Sequence, residues 1–217
     1  MNRPTSLASS LAPIAEELRA VLDAKNSARE QGLVLSRRVV RLSANGIRAI
    51  HRGERTTAEA LLDEARHRLE DAGSAMADHP DVQYAGFLHD AAKEYAEARI
   101  THALVFGLPI PDPQTLGVEA PAYLNGMGEA VGEMRRHLLD LMRRGDLERS
   151  EHLLEAMDEI YALLTSMDYP DAMTGGLRRT TDVTRSIVER TRGDLSTTII
   201  QHELKQALDD ARRRLEV

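Results

Sequence analysis

The stretch from Arg37 to Gly53, RRVVRLSANGIRAIHRG, carries the helical period on which the fold turns. At 100° per residue, Arg37, Arg41, Arg48 and Arg52 fall within roughly a 60° arc of a helix, with His51 at its edge. Leu35, Val39, Leu42, Ala49 and Ile50 fall on the far side. One face would pack, and the other would show a ladder of guanidinium groups. Arg forks match phosphate geometry, so a straight ladder suits a polyanion. A solvated helix face is the competing reading of the same residues.

The ladder matters more because the chain around it is acidic. Its 217 residues carry a formal net charge of −7, which argues against a general basic coat but permits a local basic face. The length suits one domain, residues 1–217, with a substantial core. Aromatics are scarce, with two Phe, five Tyr and no Trp, so Leu, Ala, Ile, Val and Met must build that core. Cys is absent, which excludes disulfides, thiolate metal sites and Cys nucleophiles. The N-terminal stretch has a short apolar core followed at once by acids, unlike a signal peptide, and no run has the length of a transmembrane helix. The expected location is the cytoplasm.

Helical period dominates outward from the basic stretch, and no strand pattern stands out. A first helix is expected from about Ser6 to Arg52. Thr56-Thr57-Ala58-Glu59 reads as a capping box for a second, to about Ala77. Asp78-His79-Pro80 breaks it, and a third runs from about Val82 to Phe106. Gly107 to Pro121, with four prolines, is the one long non-helical connection. A fourth helix spans about Ala122 to Arg144. Asp146 can cap a fifth, to about Met167. A sixth spans about Gly176 to Arg192, and Gly193-Asp194 separates it from a seventh, to Leu215. The expected fold is an all-α, single-domain bundle of about seven helices.

The third helix carries Asp90, Glu94 and Glu97 within roughly a 40° arc. Neighbouring carboxylates repel, and something must offset that. A hard divalent cation such as Mg²⁺ would do so through oxygen ligands, and Arg or Lys partners are the alternative. Glu129 and Glu133 share a face of the fourth helix, and Glu155, Asp158 and Glu159 cluster on the fifth. Acids from facing helices can converge on one site. No His stands at the di-iron spacing after Glu94 or Glu97, which favours oxygen-only Mg²⁺ chemistry. Phosphate-binding Gly loops and a nucleophile elbow are missing. His67, His79, His89, His137, His152 and His202 read as surface or packing residues, and the Met residues as core filler.

Three pieces of the chain resemble the translin family. They are Ser36-Arg37-Arg38…Arg41-Leu42-Ser43…Ile47-Arg48…Ile50-His51-Arg52-Gly53, Tyr123-Leu124-Asn125-Gly126-Met127…Gly132-Glu133-Met134 with Arg144-Gly145-Asp146, and Leu177-Arg178-Arg179-Thr180-Thr181-Asp182-Val183…Arg192-Gly193-Asp194. Their order and spacing are similar to those of an archaeal-type member. The resemblance implies a seven-helix bundle assembled as a hollow homo-octamer with nucleic acid inside. It also implies a choice between two branches. Translin proper binds RNA and single-stranded DNA, whereas translin-associated factor X adds an acidic Mg²⁺ site and is an endoribonuclease subunit. Glu94-Tyr95-Ala96-Glu97 matches the E-x-x-E pair of the catalytic branch, Asp158 matches its Asp, and Glu133 resembles its fourth-helix acid.

The function so implied is Mg²⁺-dependent cleavage of single-stranded RNA. Glu94, Glu97 and Asp158 would be catalytic, and with Glu133 would hold the metal. Arg37, Arg38, Arg41, Arg48, His51 and Arg52 would bind nucleic acid, turned toward an enclosed cavity. Few rings are available for base stacking, so recognition should be mostly backbone electrostatics. The alternative function is non-catalytic binding of single-stranded RNA or DNA.

Overall fold

The computed structural model describes residues 7–215. Among the described residues every element is helical: α1 Leu7–His51, α2 Arg55–Ala75, α3 Pro80–Gln83, α4 Phe87–Val105, α5 Pro113–Leu116, α6 Ala120–Arg144, α7 Leu147–Ser166, α8 Asp171–Thr174 and α9 Leu177–Leu215. Six long helices make the bundle and three single turns join them, in place of the seven long helices expected. The expected start at Ser6 lies outside the described residues. No described helix is long and apolar enough to cross a membrane.

The difference in count lies in α9, which runs unbroken through Gly193. Glycine costs about 1 kcal/mol in a helix interior relative to Ala. Packing outweighs that cost here: Val188, Thr191 and Leu195 are buried on one continuous face. Arg135 of α6 also straddles the expected break, donating to Thr191 Oγ1 at 2.9 Å and to Asp194 Oδ2 at 2.7 Å. The expected capping box is also absent. α2 begins one residue before Thr56, no side chain caps Glu54, and Glu59 instead accepts from Arg55 Nε at 2.8 Å. Asp146 does cap α7, accepting from the Arg149 N–H at 3.3 Å. The expected third helix is split into α3 and α4 at Gly86, whose φ of +100° is a conformation that L side chains rarely adopt.

α1 packs on α2 and α4, and α4 packs on α6. α7 and α9 cover α6 from another side. The core is aliphatic, with Val39, Leu138, Met134, Met157 and Leu164 buried in one cluster with the ring of Tyr95. Asn125 ties the start of α6 to its neighbours. Its amide donates to the carbonyls of Pro121 and Thr174, both at 2.8 Å, and it accepts from Thr180 Oγ1 at 2.6 Å.

The approach of α6 to α4 is the contact that builds the site. A Cβ placed on Gly126 would lie 2.6 Å from the Lys93 carbonyl oxygen and 2.9 Å from the Glu97 nitrogen. Only hydrogen at that position lets the two backbones meet. Glu129 and Glu133, one and two turns further along α6, are thereby carried onto the acidic face of α4.

Candidate functional site

Glu94 and Glu97 of α4 and Glu129 of α6 each bring a carboxylate oxygen to within 4.8 Å of the other two. Glu97 is 9 % exposed and has no ion-pair partner among the described residues. Burial first, then the charges of Glu94, Glu129 and Glu133, push its carboxyl up to about 8, against a smaller pull from Lys93. Burial also raises Glu94. With all three carboxylates ionised, the centre would hold more negative charge than the neighbouring Lys93 balances. Carboxylate oxygens in this arrangement are the donors that a hard divalent cation prefers.

Among the described residues, Lys93 is the one cation in contact with these acids. Its Nζ lies 2.6 Å from Glu129 Oε1 and 4.0 Å from Glu94 Oε1. Burial alone would lower this ammonium, but the Glu129 hydrogen bond and the charges of Glu129, Glu94 and Asp90 outweigh it and raise it. Asp90 itself is exposed, one turn before Glu94 and outside the converging set.

Glu133 borders the centre but is held from the other side. His51 of α1 hydrogen-bonds its carboxylate through Nε2, which lowers the Glu133 carboxyl despite burial, and Arg136 Nη1 stands 4.0 Å away. The His51 side chain is only 6 % exposed, and its Nδ1 has no hydrogen-bond partner among the described residues. The ring of His137 follows at 6.5 Å between centroids, also with a buried, unpartnered nitrogen. His51 thus turns its ring to Glu133, at the border of the acidic centre. It sits at the edge of the Arg arc, and at that edge the ring turns in against α6.

Asp158 does not join the acids. Its carboxylate accepts from Arg192 Nη2 of α9 at 2.6 Å. The physical reason is its helix: α7 packs against α6 and α9, whereas α4 packs against α1, α2 and α6. Glu129 takes the third place instead. Its signal in the sequence was the Gly126-x-x-Glu129 spacing, which sets a carboxylate one turn from a site of close helix approach.

The Arg ladder is exposed along α1, but its members differ. Arg37 and Arg41 have no hydrogen-bond or ion-pair partner among the described residues. Arg38 pairs with Glu64 at 2.9 Å. Arg48 donates to Asn45, and Arg52 grips Glu54 through Nε and Nη2 at 2.6 and 2.8 Å. Because His51 anchors the end of α1 to Glu133, the ladder leads along the helix toward the acidic centre.

No protein-family model matches the chain. It is 31 % identical over 186 residues to an uncharacterised protein of Methanocaldococcus jannaschii, covering 85 % of this chain and 82 % of that one. Among solved structures, it is similar to AfC3PO of Archaeoglobus, a translin-associated factor X-like protein, at 33 % identity and a TM-score of 0.79. The complex of AfC3PO with duplex RNA matches at 32 % and 0.79. Both matches cover 86 % of this chain and 97 % of the other. Apo-NeC3PO, at 20 % identity and a TM-score of 0.72 over 89 % of this chain and all of that one, shares the fold. Carried by these matches on the bundle described above, the chain belongs to the translin family.

Proposed function

We propose that this protein binds RNA and cleaves it with Mg²⁺ held by Glu94, Glu97 and Glu129, with Glu133 beside them. The observation that carries the reading is the convergence of Glu94, Glu97 and Glu129 within 4.8 Å, with Glu97 buried among the acids and its carboxyl pushed up to about 8 by burial and their charges. A divalent ion would replace the proton of that carboxyl. When bound, Mg²⁺ supplies Lewis-acid polarisation of a phosphate and a water of lowered pKa. The chain's own residues do the rest. Glu94, Glu97 and Glu129 fix the charge and geometry of the centre. His51 orients Glu133. Arg37 and Arg41, without partners among the described residues, hold flanking phosphates.

RNA as the partner is supported by the duplex RNA complex of AfC3PO, which is 32 % identical to this chain. Phosphate contacts serve single strands and duplexes alike, so both belong in the assay; single-stranded DNA is the further candidate. We read the working form as a closed homo-octamer in the cytoplasm, with the Arg face inward. Support for self-association comes from two uncovered apolar stripes. Leu7, Leu11, Ile14, Leu18 and Val21 recur every three or four residues along the first half of α1, and Ile200, Leu204 and Leu208 every four along the end of α9; all are at least half exposed.

The experiment is cleavage of labelled single-stranded and duplex RNA, with Mg²⁺ or chelator, by wild type, Glu129→Gln and Glu97→Gln, with native mass recorded alongside. Metal-dependent cleavage lost in both variants is expected. Tight RNA retention without metal-dependent cleavage would replace this reading with non-catalytic binding.

A further inference from the structure

Lys93 sets its ammonium against two of the acids that would hold a metal ion. It precedes Glu94 directly and lies one turn, i to i+4, before Glu97, at the border of the acidic face of α4. Gly126 brings the α6 backbone down on the Lys93 carbonyl, and Glu129, three residues later, reaches the ammonium across that contact. The side chain is 22 % exposed, and its head bonds Glu129 and approaches Glu94, two of the three converging carboxylates. Neither acid has another ion-pair partner among the described residues. A lysine on an exposed helix face lays its carbons along the surface and keeps its ammonium in water. This one is drawn inward and satisfied by the acids.

A divalent cation coordinated by Glu129 would sit about 2 Å from the same carboxylate that Lys93 contacts. Two cations on one small carboxylate cluster repel, and the low local polarity strengthens that repulsion. The lysine stem is flexible enough to withdraw its head without moving the backbone, which a shorter or planar cation could not do as freely. We infer that Lys93 is the resident counter-ion of the acidic centre, holding Glu94 and Glu129 together in the metal-free protein and competing with the divalent ion for them, so that it sets the metal affinity of the centre. This rests on the metal reading above. It adds to it a residue that lowers affinity while protecting the empty centre from its own charge.

Two effects of opposite sign follow, which a merely structural lysine would not produce. Lys93→Gln should bind divalent metal at least tenfold more tightly than wild type. In chelator it should also melt at a lower temperature, with saturating metal restoring its melting temperature. Lys93→Arg keeps the charge on a planar head that withdraws less freely, so it should bind metal no more tightly than wild type. The test is calorimetric titration of Mn²⁺ and Mg²⁺ into wild type, both Lys93 variants and Glu97→Gln, with melting curves in chelator and in metal. If wild type binds, Glu97→Gln does not, and Lys93→Gln binds no more tightly than wild type, the counter-ion role is overturned while the metal centre stands. If neither wild type nor Lys93→Gln binds metal, or if Glu97→Gln binds as well as wild type, both readings fall.

A second measurement needs no variant. The chain has three lysines, Lys25, Lys93 and Lys205, so labelling by an amine-reactive reagent is easily mapped by mass spectrometry. Metal should speed labelling of Lys93 several-fold and leave Lys205 unchanged. Equal labelling of Lys93 with and without metal would overturn the inference.

Discussion

Replacing Gly126 with Ala tests the contact that creates the acidic centre. The added Cβ would lie 2.6 Å from the Lys93 carbonyl oxygen, 2.9 Å from the Glu97 nitrogen and 3.0 Å from the Ala96 Cβ. The first two atoms are acceptor and donor of one i to i+4 backbone bond in α4, so the methyl group would press on the helix ladder itself. No rotamer can relieve a clash with backbone. Ordinary contact begins at 3.4 Å, so α6 must retreat from α4 by about 0.8 Å, the difference between 3.4 and 2.6. Overpacking of this kind costs about 1–3 kcal/mol. Alanine recovers up to ~1 kcal/mol of helix propensity. The expected net destabilisation is about 1–2 kcal/mol, a fall in melting temperature of roughly 2–8 °C for a chain of this size. The same retreat would draw Glu129 away from Glu94 and Glu97, so divalent metal affinity should fall too. Gly132→Ala is the control on the same helix, because its Cβ would meet nothing nearer than Ile187 Cδ1 at 3.9 Å. It should be neutral or stabilising. Urea unfolding and metal titration of both variants decide the matter. A Gly126→Ala protein as stable as Gly132→Ala, with unchanged metal affinity, would refute the close-packing account of the site.

Other outcomes follow from the same geometry. Glu97 has a folded-state carboxyl raised to about 8, so the metal-free fold keeps a proton that the unfolded chain releases. That contribution is complete below the ordinary carboxylate range and is lost as pH rises from about 4.5 to about 8. Metal-free wild type should therefore lose stability across this window, and Glu97→Gln should lose less; equal slopes in the two melting series would contradict the assignment. Arg37→Ala with Arg41→Ala should weaken RNA retention, and the salt slope of binding should shrink by about two, since each Arg neutralises one phosphate. The melting temperature should not change, and unaltered filter binding would remove these two residues from the interface. Asp158→Ala should leave metal binding intact and cost about 0–1 kcal/mol, the worth of a largely exposed pair with Arg192. Loss of metal affinity in that variant would return Asp158 to the centre.

Local pattern carried much of this protein. The helical period predicted all-α architecture, and the exposed Arg37 and Arg41 were legible because the phase of a helix face is a property of adjacent turns alone. The pairing of Glu94 with Glu97 was legible for the same reason, since three residues nearly complete a turn. Helix ends were less legible where a tertiary contact competed with a local signal. Arg135, reaching from α6 to both sides of Gly193, outweighed a break that propensity favoured.

The identity of the third acid was beyond sequence spacing. Several helices carry acids, and only the choice of packing partner says which of them faces α4. That choice placed Glu129 in the centre and left Asp158 with Arg192, because α6 meets α4 at Gly126 while α7 lies against α6 and α9. Tertiary structure likewise turned His51 from the edge of the basic arc into a bond with Glu133, and drew Lys93 inward onto Glu129. Sequence alone determined the period of each helix and the chemistry along its faces. The rotation and depth at which those faces meet were decided by packing, because close approach depends on atoms that are far apart in the chain.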